Sequence, residues 1–138
     1  MSGRALLVRH WPDYRRSLEL VEPGQPPRPL WLGHQGVLAS ACDRGGERVW
    51  LITNDWGQGL EPQLLALDRS GRRLMHRSLR GWEPEPGMPM VFDATRQQLL
   101  LTLRRRHQPA QPVLIDARDL QLNPVNKAVR QVVWLAAP

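Results

Sequence analysis

Apolar and polar positions along this chain fall into short runs of four to eight residues, each rich in Val, Ile and Leu and closed by turn-forming residues. Runs of that length and composition predict buried β-strands and give no sign of helices. Four of them follow one another at residues 36–43, 48–53, 63–68 and 72–79, and four more at 88–93, 97–102, 112–116 and 120–125. Asp43 and Asp93 stand 50 residues apart and Asp68 and Asp116 stand 48 apart, so the chain repeats with a period near 50. The links explain the reversals of direction. Asp43-Arg44-Gly45-Gly46 supplies glycines for a positive-φ hairpin, and Asp68-Arg69-Ser70-Gly71 is an Asp-led turn with a Gly exit. The Pro-rich stretch 83–87 is unfit for a central strand and marks the passage from one repeat to the next.

A third, incomplete repeat lies at the front of the chain, where residues 5–8, 17–22 and 29–32 match the second, third and fourth strands. Its first strand is missing there, and residues 130–137 supply a segment like 36–43 at the other end. These strands and turns, above all Val113-Leu114-Ile115-Asp116 after an Asp-led hairpin, resemble the blades of a β-propeller of the YVTN type. The resemblance is architectural, because no Trp-Asp dipeptide or other family signature ends a strand. It implies an all-β fold of three four-stranded antiparallel blades in a single domain, 1–138. Blade one is 4–33 plus the terminal strand 131–137, blade two is 36–80, and blade three is 88–130. Closed propellers have about four to eight blades, so three leave two apolar end faces open. The expected remedy is a homodimer whose two halves close a six-bladed ring about a two-fold axis. The alternative is a small β-sandwich or barrel.

Composition narrows the setting. No apolar run approaches the roughly 18 residues of a membrane-spanning helix, and the N-terminus carries no secretory pattern. Cys42 is the only cysteine, which rules out an intramolecular disulfide and suits a reducing compartment. A soluble cytoplasmic protein with no membrane contact is the expectation. The 138-residue chain carries 19 basic and 13 acidic side chains, net +6, which raises the prospect of an anionic partner. All the basic residues except Lys127 are Arg, a skew that genome composition explains as readily as function.

Candidate chemistry gathers where the second-to-third-strand loops and the crossings between blades share one face. Trp11 and Trp56 take the same loop position in two repeats, and Arg105 takes it in the third. His10, Asp13, Asp55, Arg104, Arg106 and His107 flank them, and the crossings add His34, Gln35, Trp82, Glu83 and Glu85. Trp beside Asp or Arg can stack on a base, a sugar or a protein side chain. The plainer reading makes Trp11, Trp56 and Trp82 covers for the blade ends and the 104–107 run a solvated loop. The expected binding residues are Trp11, Trp56, Trp82, Arg104, Arg105, Arg106, His107, His10 and Asp55.

Catalytic patterns are missing from the sequence. The four His residues lie in separate segments without metal spacing, no Gly-rich phosphate loop occurs, and Ser40 and Cys42 have no base near them. The expectation is a non-enzymatic protein with no catalytic residue, metal or cofactor. It would bind through one loop face, with a protein as partner, in the manner of an adaptor or a toxin-neutralising protein. A carbohydrate or anionic small-ligand binder is the first alternative, and a sequence-nonspecific nucleic-acid binder the second.

Overall fold

The computed structural model describes residues 3–54, 61–85, 87 and 89–125, and the chain divides into two compact units, Met1–Arg80 and Gly81–Pro138. Among the described residues all regular structure is strand, in three antiparallel sheets, none of which closes on itself as a barrel.

In the first unit, β1 (Ala5–His10), β2 (Arg16–Val21) and β3 (Arg28–Gly33) form sheet A in that order. The four strands β4 (Gly36–Cys42), β5 (Arg48–Asn54), β6 (Gln63–Asp68) and β7 (Arg73–Ser78) form sheet B, also in chain order. Alternation decides which side chains meet. Leu18, Leu20 and Leu30 of sheet A pack against Val49, Leu51, Leu65 and Leu67 of sheet B, with Leu6, Val8 and Trp31 partly buried at the margin. A bulge in β3 opposite Leu18 and Glu19 turns both Leu30 and Trp31 towards this core. The reverse face of sheet B, with Trp50, Ile52, Leu64 and Ala66, is buried as well.

Polar contacts tie sheets A and B together at one end. Arg69, in the β6–β7 turn, donates from Nη2 to both carboxylate oxygens of Glu22 at 3.1 and 3.2 Å, and from Nη1 to Glu47 at 3.2 Å. In the same turn Gly71, at φ 89°, leaves room for the Leu30 carbonyl oxygen, which lies 2.5 Å from where a Cβ would stand.

In the second unit, β8 (Trp82–Pro84), β9 (Val91–Asp93), β10 (Gln98–Arg105), β11 (Gln111–Asp116) and β12 (Leu122–Pro124) make sheet C. Two short strands, β8 and β9, share one edge of β10. The passage between repeats, expected at 83–87, therefore begins as strand: Trp82–Pro84 pairs with the far end of β10, where edge placement tolerates Pro84. The expected terminal strand, 131–137, lies outside the described residues.

Candidate functional site

Among the described residues, those expected to bind fall into two clusters, one in each unit. The first is the β1–β2 hairpin end. Its turn closes with Trp11 N donating to the Arg15 carbonyl at 3.0 Å and Tyr14 N to the Trp11 carbonyl at 3.1 Å, with Tyr14 left-handed at φ 69°. Asp13 fixes the turn by accepting from the Arg15 backbone N–H at 3.2 Å and from its guanidinium. Trp11 and Tyr14 emerge 40% and 81% exposed. His10 is exposed too, opposite Arg16 in the ladder.

Behind the indole lies a polar chain. Trp11 Nε1 donates to Ser17 Oγ at 3.0 Å, Ser17 Oγ donates to Glu19 Oε2 at 3.0 Å, and Arg9 Nε donates to the same Glu19 oxygen at 2.6 Å. The Arg9 guanidinium sits 5.4 Å from the centre of the Trp11 ring. Glu19 is only 5% exposed, yet it stays ionised: the Arg9 hydrogen bond holds its carboxyl below the usual carboxylate range, against burial, with help from Ser17. The network fixes the Trp11 ring, so a ligand meeting it costs little further ordering.

The second cluster lies on β8 and β10. Strand β10 runs on through Arg105, so Arg104 and Arg105, expected in a loop, are ladder residues opposite Glu83 and Trp82. The Arg105 guanidinium stacks 4.2 Å from the centre of the Trp82 ring, and Arg104 pairs with Glu83 at 3.8 Å. Trp82 is buried, with the Arg105 guanidinium over its ring. Arg106 and His107 form the exposed turn that follows, with His107 at φ 62°. Next to it, residues Gln108 to Gln111 line a pocket of about 220 Å³.

Asp55 and Trp56 lie outside the described residues. Among the described residues no group of three His, Cys, Asp or Glu is placed to hold a metal, and no helix is long and apolar enough to cross a membrane. Burial pushes the Cys42 thiol above its ordinary value, with Asp43 adding to the shift, which makes it a poor nucleophile.

Sequence reasoning passed over Arg9, Tyr14, Ser17 and Glu19. A signal existed for Glu19: a carboxylate inside the apolar run 18–21 must face away from its Leu neighbours, on the side that Arg9 occupies by register.

No protein family matches the chain in sequence, and neither does any curated protein. Solved structures do match in shape. The uncharacterised protein lmo1340 of Listeria monocytogenes EGD-e superposes with a TM-score of 0.70 at 10% identity, covering 94% of this chain and 39% of that one. TolB of Acinetobacter baumannii, a β-propeller, superposes with a TM-score of 0.69 at 17% identity, covering 91% of this chain and 31% of TolB. The chain thus spans well under half the length of either. At such identities the likeness shows the fold alone, an all-β, propeller-like architecture.

Proposed function

We propose that the chain is a non-catalytic interaction module of the cytoplasm that grips a protein partner at hairpin ends of a propeller-like scaffold, and that two copies together make up a six-bladed ring. The observation that carries the binding reading is the β1–β2 end, where two exposed aromatic rings, Trp11 and Tyr14, stand among Arg9, Arg15 and Arg16. Trp, Tyr and Arg are the side chains that most often dominate protein interfaces, because each buries a large surface while keeping a polar contact. Trp11 is already oriented by Ser17 and Arg9.

The test is affinity capture from a lysate followed by titration of the recovered partner. Trp11→Ala and Tyr14→Ala should each weaken binding about tenfold or more, the loss usual for truncating an interface anchor. Arg105→Ala should leave affinity within about threefold, since its guanidinium is spent on Trp82. Full affinity in both aromatic variants would place the site elsewhere. A salt titration identifies the nucleic-acid alternative, because phosphate contacts weaken steeply as salt rises.

A further inference from the structure

Sheet A uses only one of its faces in the first unit. Leu18 and Leu20 turn to sheet B, and the reverse face carries Leu7, Arg9, Ser17, Glu19 and Leu32 by alternation and register. Leu7 and Leu32 are 40% and 51% exposed there, at either side of the Ser17–Glu19 pair. Sheet B differs. Both of its faces are buried, and the one presenting Val49 and Leu51 is covered by sheet A. When sheets stack in one sense, each meets its neighbour with opposite faces, so the face of sheet B that sheet A covers corresponds to the open face of sheet A.

The ladder registers identify what fits that position. The strand-ending aspartates Asp68 and Asp116 pair with Arg48 and Gln98, which makes Leu100 and Leu114 of sheet C the equivalents of Trp50 and Ala66 on sheet B. These lie on the side of sheet B away from sheet A, the same side that sheet A presents as Leu18 and Leu20. On sheet C that row is buried at Leu100 and half-buried at Leu114, and it continues into Val91, which is paired with Leu100 and 39% exposed. One sheet therefore lacks a cover of the kind that Leu18 and Leu20 provide, and another carries that kind of face with an exposed apolar edge.

We infer that the open face of sheet A, centred on Leu7 and Leu32, docks the Val91–Leu100–Leu114 face of sheet C from a second copy of this chain, continuing the stacking already made between sheets A and B. The inference rests on the two-copy reading above and specifies its surfaces. By two-fold symmetry the contact occurs twice, so the partner's sheet A receives the first copy's sheet C. Glu19, held by Arg9 and Ser17, gives the apolar patch a charge-neutral centre that needs no partner from the second copy.

Sedimentation velocity over a dilution series of the whole chain tests this, each variant being read once its far-ultraviolet circular dichroism matches the parent. Leu7→Arg with Leu32→Arg, and separately Val91→Arg, should raise the dimer dissociation constant at least tenfold. Leu74→Arg, on an exposed position of β7, should leave it unchanged. Mixing the sheet A variant with the sheet C variant should restore association, because a mixed pair keeps one intact interface. Where arginine unfolds the chain, serine at the same positions takes the same reading. A dimer indifferent to Leu7, Leu32 and Val91 overturns the inference and leaves the two-copy reading standing. Sensitivity to the sheet A changes alone overturns the pairing with sheet C. A parent protein that stays monomeric overturns both.

Discussion

Asp43, just past the end of β4, and Asp68, Asp93 and Asp116, the last residues of β6, β9 and β11, accept backbone N–H groups of the following turn: Glu47 at 2.8 Å, Ser70 and Arg72 both at 2.9 Å, Thr95 at 3.0 Å and Arg118 at 2.8 Å. The repeat read from the sequence is therefore a repeat of one turn device, a carboxylate standing in for the missing backbone acceptor. The positive-φ residue that completes it varies. Gly46 and Gly71 sit three places after their aspartates, whereas Gln97 and Leu120 sit four places after theirs, at φ 53° and 61°. Nothing in the sequence marks those two, since Gln and Leu rarely take that conformation. Hydrogen bonds from Ser70, Arg96 and Arg118 side chains, joined by backbone N–H groups, hold Asp68, Asp93 and Asp116 below the ordinary carboxylate value. A depressed folded value means that their stabilisation is present above the unfolded value, near about pH 4, and is lost as pH falls through the lower folded value. Thermal midpoints should accordingly hold steady from neutral pH down to about pH 5 and drop below about pH 4. Asp68→Asn with Asp116→Asn should flatten that drop, and an unchanged acid slope in the double variant would show that the turns are not its source.

At the level of elements, strands and their order were largely legible because short runs rich in Val, Ile and Leu, closed by turn-forming residues, are a strong local signal. Residues 63–68 were read as a strand and β6 occupies those residues, and the meander of sheet B follows the order in which its strands were read. The failures have physical causes. Trp82 and Arg105 lie 23 positions apart in the chain, and their stacking depends on an edge pairing that no local pattern announces. Proline-rich composition hid β8, because an edge strand tolerates a proline that an inner strand would not. Contacts between elements also sort the glycines. Gly24 has φ 72° and open space around it, whereas Gly71 combines φ 89° with the Leu30 carbonyl pressed against it. Gly24→Ala should cost about 1 kcal/mol, the conformational penalty alone, and Gly71→Ala about 2 kcal/mol or more, since β3 or the β6–β7 turn must also move. Chemical denaturation of the two variants measures this, and equal losses would remove the close approach from the account.

For the whole molecule, fold class came from the repeat, and the match to TolB supports a propeller-like architecture at an identity far too low to carry function with it. The candidate site was less legible. Trp11 was singled out by its loop position, but its support by Arg9, Ser17 and Glu19 depends on a cross-strand face that only the ladder register defines. The central claim is that two copies join through apolar sheet faces, each copy carrying a net charge of +6. Like charges oppose such a union and salt screens them, so association should tighten as salt rises, the reverse of binding to phosphate. Light scattering coupled to size exclusion, at micromolar protein in low and in high salt, tests the claim most directly. The account predicts about 32 kDa, twice the 15.8 kDa of one chain, with the dimer favoured at high salt. A well-folded species of about 16 kDa in both conditions would contradict it.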